Sequence, residues 1–382
     1  MKYRLTAFLF ILAVTIMIAY CSGTPAPDIP SAKSGFLDLR NWDFHTRGII
    51  ELKGNWEFYR NQLLTSEDFS HKTPPRKTAY INVPDSWDNL SVHRQPSGGK
   101  GYGTYRLTIL TNAPETLLGM RFRQVFQAAK IWINGDLLSE AGTVGTTPDT
   151  MRPERSTRSI YFQPRNRSLE IIVQMANYHH RTGGMRESIE IGLAGQIQKK
   201  RDRMLAYDLF IFGGLFIIML YHLGLYLYHR KDIAMLFFGI LSLVLALRAL
   251  LTSEIFLTSL MPALRGETQF KIEYISFYLT VPLLAMFYNS MYKSEVHPVL
   301  YKGIIATGFL FSAFVTVTPL SVYNYTVIPY SVFFAASFLY MIAILSLASY
   351  RNREGALMLL LGFLILFATA INDLLHNFNI TQ

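Results

Sequence analysis

A chain of 382 residues that is 51% hydrophobic and only 16% charged is too apolar to be one water-soluble domain, and its average hides two unlike halves that meet near Lys200. The net charge of +10 comes without a basic helix or an aromatic-basic platform, so nucleic acid is excluded as the expected partner. The single cysteine, Cys21, excludes an intramolecular disulfide, and any exported part must hold together through its own core.

Lys2 and Arg4 precede an apolar run, Leu5–Tyr20, which reads as a signal-peptide core or a short anchor. The run ends Ile18-Ala19-Tyr20-Cys21-Ser22-Gly23. This is similar to a bacterial lipobox, although Tyr20 departs from the small residue usual before the cysteine. Residues 1–21 are therefore expected to direct export, with Cys21 as the candidate lipidation site. Residues 22–34, rich in Pro, Ser, Ala and Gly, read as a flexible tether.

From Phe36 to Ile197 short apolar alternations are broken by Gly, Pro, Asn or Asp about every ten residues. Tyr105-Arg106-Leu107-Thr108-Ile109-Leu110, Met120-Arg121-Phe122-Arg123-Gln124-Val125 and Ser188-Ile189-Glu190-Ile191 are examples. Period-two patterning with frequent turns predicts a β-sandwich over 35–198. Asn134-Gly135, directly after Lys130-Ile131-Trp132-Ile133, predicts a hairpin, because both residues tolerate the positive φ of a type I′ turn. Trp56 and Trp132 lie inside strand patterns and are expected in the core.

From Leu205 to Leu375 the chain holds six apolar runs: Leu205–Tyr228, Ile233–Thr252, Ile272–Tyr292, Val299–Pro319, Thr326–Tyr350 and Ala356–Leu375. Each approaches the ~20 residues that a helix needs to cross a bilayer core of ~30 Å. If the β domain is exported, the cytoplasmic breaks carry Arg230, Lys231, Lys293, Lys302, Arg351 and Arg353, in agreement with the positive-inside bias. Lys199, Lys200, Arg201 and Arg203, just outside the first run, go against it. Ionisable residues within spans are functional candidates by default. Asp208, Arg248, Glu273 and Asp373 all map to the outer level, and Arg248 is expected to pair with Glu273 or Asp373.

Leu52-Lys53-Gly54-Asn55-Trp56-Glu57-Phe58, Val83-Pro84-Asp85-Ser86-Trp87, Gly101-Tyr102-Gly103-Thr104-Tyr105-Arg106, Ile131-Trp132-Ile133-Asn134-Gly135 and the strand from Leu169 to Asn177 follow one another as in galactose-binding-like jelly rolls. With the multispan block behind it, the chain resembles the bacterial seven-transmembrane receptors with diverse intracellular signalling modules. The resemblance implies a multidomain protein: an exported all-β jelly-roll sandwich, then an all-α polytopic bundle in the bacterial cytoplasmic membrane. It also implies a seventh helix and a cytoplasmic cyclase, kinase or diguanylate cyclase. The sequence ends at Gln382 with neither, so the expectation is a C-terminally shortened chain or a separate effector.

Sugar recognition calls for an aromatic platform beside planar hydrogen-bonding groups. Trp87, His93, Arg94 and Tyr102 lie in or beside one turn-rich stretch, and Asn177, Tyr178, His179, His180 and Arg181 lie at a strand end before Gly183-Gly184. These are the candidate ligand-binding residues, with a carbohydrate or other small molecule as the expected ligand and the lipid bilayer as the second partner. Adjacent histidines on an extended chain point to opposite faces, so His179-His180 is not expected to bind metal. No cofactor is expected, and without a nucleophile elbow, P-loop or dinucleotide fingerprint no enzymatic activity is expected either. The rival readings are a transporter or channel with an accessory domain, and an envelope scaffold that binds a partner protein.

Overall fold

The computed structural model describes residues 29–377 except 89–90, 93–94, 97, 113–114, 126–127, 165 and 265; the side chains of 91–92, 95–96, 124–125 and 370–377 are also outside the description. The export segment, Cys21 and most of the tether lie outside the described residues.

The alternating segments form two sheets. The larger runs β10 (Asp136–Ala141), β9 (Ala128–Ile133), β12 (Ser168–Asn177), β7 (Gly101–Thr111), β3 (Gly54–Arg60) and β4 (Ala79–Val83). β1 (Phe36–Leu39) lies parallel along β7 at 108–111, on the edge that β3 occupies at 103–106. The smaller sheet runs β11 (Ser156–Phe162), β8 (Leu118–Val125), β13 (Ile189–Leu193) and β2 (Ile50–Glu51). A short hairpin, β5 (Ser91–Val92) with β6 (Gln95–Pro96), stands apart.

Successive strand residues face opposite sides, so Tyr105, Leu107 and Ile109 of β7 meet Met120 and Phe122 of β8 and Ile189 and Ile191 of β13 in one core. Each such buried side chain contributes ~1.5–3 kcal/mol of transfer free energy. Asn134 and Gly135, at φ of 50° and 89°, turn β9 into β10 as a type I′ hairpin requires. Trp56 is fully buried, whereas Trp132 is only half-buried, because its position alternates with the inward Ile131 and Ile133.

Two expected boundaries move. The end of the tether is part of the sandwich: Ala32 is buried, its N–H donates to the Lys53 carbonyl (2.6 Å), and Asn55 N–H donates back to Ala32 (2.8 Å). Gly54 permits this approach, since a Cβ there would stand 2.3 Å from the Ala32 carbonyl oxygen. At the other end nothing separates sheet from helix. β13 ends at Leu193, and α1 (Ala194–Tyr228) starts at the next residue. The Gln196 side chain fixes this junction, accepting from Leu193 N–H (3.2 Å) and donating to the Phe44 carbonyl (2.7 Å).

The helices continue as α2 (Ile233–Thr252), α3 (Glu267–Met291), α4 (Pro298–Val317), α5 (Val327–Tyr350) and α6 (Ala356–Asn377). Five helical stretches among the described residues are long and apolar enough to cross a membrane, and the described part of α6, Ala356–Thr369, is shorter. α1 to α4 pack in series, and Gly308 of α4 admits the ring of Pro282 of α3, which a Cβ would meet at 2.6 Å. The sandwich and these helices form one compact unit, 30–291 with 298–330.

The second unit comprises 292–297 and the chain from Ser331 onward. Within it Phe338 stacks on Phe334 and Phe363, with centroids 4.2 and 4.8 Å apart. The Glu295 carboxylate takes both Arg351 (3.4 Å) and Arg353 (3.0 Å).

Candidate functional site

Alternation puts Arg121 of β8 and Glu190 of β13 on the face of the small sheet away from the core, directly opposite each other in register. That face does not meet water. Arg121 and Glu190 are each only 1% exposed, because the start of α1 and the turn after α2 cover them. The Arg121 guanidinium pairs with Glu254 in that turn and lies 3.5 Å from the Glu190 carboxylate, while Lys200 of α1 donates to Glu190 (3.0 Å). Glu254 N–H in turn donates to the Asp208 carboxylate of α1 (3.1 Å).

A second link lies at the start of β11. The Arg155 guanidinium pairs with the Glu273 carboxylate in the second turn of α3 and donates to the Thr252 carbonyl (3.4 Å). Gln269 donates back to the Arg155 carbonyl (3.1 Å), and the Thr157 hydroxyl to Ser253 (3.4 Å). Both guanidiniums are out of water, where charge-assisted contacts are strong but desolvation offsets much of the gain. Such pairs fix geometry more than they add stability.

The expected partner of Arg248 is corrected in part. Arg248 donates to the backbone carbonyl of Glu273 (3.2 Å) and lies over the Phe277 ring, while the Glu273 carboxylate belongs to Arg155 of the sandwich. Asp208 is buried at the same level, and the Asp373 side chain lies outside the described residues.

The candidate ligand residues divide. His93 and Arg94 lie outside the described residues. Trp87 is fully buried, so it offers no platform: its ring stacks on Tyr105, Arg60 lies over it, and its indole N–H donates to Gly99 (3.0 Å). Asn177 is equally buried and builds the loop that follows, donating to the carbonyls of Gly99 (2.7 Å), His180 (2.9 Å) and Thr182 (3.0 Å) and accepting from His180 N–H (2.9 Å). Tyr102, Tyr178, His179 and Arg181 remain half-exposed, with Tyr102 and Tyr178 packed on one small cluster around Met151.

The loop after Asn177 also touches the helices. Asn324, in the turn between α4 and α5, donates to the His179 carbonyl (2.9 Å). Burial holds the neighbouring His180 imidazole down at about 4, Arg186, Arg181 and Arg155 adding to the effect and the Thr182 backbone opposing it. Burial likewise lowers Arg186, with Arg181 beside it pushing the same way.

Sequence reasoning missed Arg121, Arg155, Glu190, Glu254, Gln269 and Asn324. Only Glu254 carried a visible signal, as a lone acid closing an apolar run.

Residues 204–382 match a family model described as 7TM diverse intracellular signalling. No match to the chain was found among curated proteins. Among solved structures the chain is similar to a Ruminococcus gnavus β-glucuronidase, with 12% identity over 37% of this chain and 27% of that one and a TM-score of 0.29. A GH2 β-galacturonidase from Eisenbergiella tayi, bound to galacturonate, gives 14%, 38%, 24% and 0.26 in the same order, and an uncultured Clostridium β-glucuronidase 16%, 37%, 28% and 0.28. The chain thus spans about a quarter of the length of these enzymes. The helical half of this multi-pass membrane protein, with its series of membrane-capable helices, is thus similar over 204–382 to the 7TM diverse intracellular signalling family.

Proposed function

We propose that the protein is a receptor of the bacterial cytoplasmic membrane, non-enzymatic within these residues, whose sandwich lies outside and senses a carbohydrate or another small ligand. The family match over the helical half supports the receptor role. The exposed cations Arg230, Lys231, Lys293, Arg351 and Arg353 between helices support the orientation. The match to a signalling family supports a cytoplasmic effector such as a cyclase, kinase or diguanylate cyclase as the output.

One observation carries the signalling part: Arg121 and Arg155 of the sandwich, both buried, are each paired with a carboxylate of the helical domain. A ligand moves such an equilibrium only by its differential affinity for two arrangements. A small shift of β8 or β11 changes the positions of Glu254 and Glu273, and with them α2 and α3. The accessible part of the rim, Tyr102, Tyr178, His179 and Arg181, is the ligand surface in this reading, and the bond from Asn324 to the His179 carbonyl supports a link from that loop to the turn after α4.

The test is a thermal-shift screen of the full chain in neutral detergent against neutral and acidic saccharides. A saccharide at a hundred times its Kd should stabilise by ~2.7 kcal/mol. Arg181→Ala should abolish the shift without lowering the unliganded Tm. If no saccharide shifts the wild-type protein, the carbohydrate reading is lost. Coupling is read separately: ligand should change protease cutting at Arg230 in the wild type and not in Glu254→Gln/Glu273→Gln.

A further inference from the structure

Lys199, Lys200, Arg201 and Arg203 run against the charge distribution of the other loops, and the receptor reading does not use them. Lys200 is committed to Glu190. Lys199, Arg201 and Arg203 are exposed and form no ion pair among the described residues; Asp202, also exposed, lies three residues after Lys199 and so borders it on the helix surface without pairing with it.

Their depth follows from the geometry of α1. At 1.5 Å per residue, Arg203, Arg201 and Lys199 stand ~3, ~6 and ~9 Å beyond Leu205, where the apolar run begins. A headgroup layer is ~5–7 Å deep on each side of the hydrocarbon core. Arg203 and Arg201 therefore lie within the headgroup layer, and Lys199 stands just beyond it, where its long side chain reaches back toward the phosphates.

The rest of the helix agrees. Lys199, Arg203, Tyr207, Phe210, Gly214, Ile217, Tyr221, Gly224 and Tyr228 recur every three or four residues on one face, and all are exposed. Tyr207 and Tyr228, 65% and 83% exposed, are ~32 Å apart along the axis, close to the thickness of the hydrocarbon core. Arg203 stands ~38 Å along the axis from Tyr228, where α1 ends, and Arg230 follows two residues later in the turn. The stripe thus has cations at its sandwich-side end, aromatic rings near both interfaces and apolar or small residues between, with Arg230 in the turn just past its far end.

We propose that Lys199 and Arg203 bind the phosphate of an anionic phospholipid in the leaflet on the sandwich side, with its acyl chains along Tyr207, Phe210 and Ile217, while Arg201, on the other side of α1, adds positive charge at the same depth. Because α1 leaves β13 without a linker, a lipid held there sets the height of the sandwich above the membrane. The proposal is independent of what the sandwich senses.

The test is photocrosslinking of the full chain in mixed vesicles with phosphatidylglycerol or phosphatidylcholine carrying an acyl-chain diazirine, with adducts mapped to residues 204–221. Phosphatidylglycerol should label this stretch preferentially, and the preference should fall roughly fivefold for each cation removed in Lys199→Gln, Arg203→Gln and the triple variant with Arg201→Gln. Lys199→Arg/Arg203→Lys, which keeps the charge, should retain the preference and guards against misfolding. Equal labelling by both lipids, or an undiminished preference in the triple variant, would overturn the proposal. So would displacement by millimolar inorganic phosphate, which would assign the site to a soluble anion, or crosslinking of the stripe to a second copy of the chain instead of lipid.

Discussion

The guanidinium of Arg155, the last residue before β11, sits against the carboxylate of Glu273 in the second turn of α3. A sandwich loop and a membrane helix are thereby joined by opposite charges, with Arg155 buried and Glu273 mostly so. Removing one partner of such a pair strands the other, at a cost of ~3–5 kcal/mol. Glu273→Leu should therefore lower the Tm of the purified chain markedly, while Arg155→Met/Glu273→Leu should recover most of the loss. A double variant as unstable as the sum of the single ones would show that the pair is not coupled.

The contacts of Arg121 differ in that it faces two carboxylates, Glu190 and Glu254, with Lys200 on the first. Glu254→Gln leaves Arg121 with Glu190 and should cost no more than a charged hydrogen bond, ~1.5–3 kcal/mol. Arg121→Met leaves both buried acids without their guanidinium and should cost more, ~3–5 kcal/mol. Chemical denaturation of the two variants should give this order, and the reverse order would mean that Glu190 and Lys200 suffice without Arg121.

His180 predicts an acid limb in stability. Burial, followed by the charges of Arg186, Arg181 and Arg155, holds the folded imidazole at about 4, against an ordinary value of 6.5. The unfolded chain then binds the proton first as pH falls, so this contribution is fully present above about 6.5 and is lost on the way down through about 4. A shift of this size corresponds to ~3 kcal/mol. Asp38, held at about 2 by its hydrogen bonds to Arg40, titrates below this window. His180→Gln should flatten the Tm profile between pH 4 and 6.5, and an unchanged slope would place the titration elsewhere.

The two halves, the strands and the 134–135 turn were legible because each rests on a local rule, either period-two burial or positive φ at Asn-Gly. The seam was not, and β8 shows why. Alternation correctly sends Met120 and Phe122 inward and Arg121 outward, but a pattern along one strand cannot tell whether "outward" means water or another domain. Arg121 and Glu190 look like solvated strand charges until α1 and the 253–255 turn close over them. Trp87 failed in the opposite sense. A turn-rich stretch reads as an exposed rim, yet the indole folds back onto Phe58 and Tyr105, where only long-range packing could have placed it.

Gly183 should prove the more demanding glycine of the rim, because the Trp87 ring occupies the space a side chain would need. A Cβ at Gly183 would stand 2.1 Å from the indole nitrogen and 2.2 Å from the Gly99 carbonyl, the two groups joined by the Trp87 hydrogen bond. Gly98, only one residue before Gly99, has open space around it and a φ of +62°, so alanine there meets only the left-handed backbone penalty of ~1–2 kcal/mol. Gly183→Ala must displace the ring or the carbonyl, with an overpacking cost of ~1–3 kcal/mol or more and the loss of that bond as well. It should therefore lower the Tm further than Gly98→Ala and change the near-ultraviolet dichroism of the tryptophans, which Gly98→Ala should leave alone. Equal effects of the two substitutions would mean that the rim loop yields readily, and that Trp87 does not hold it in place.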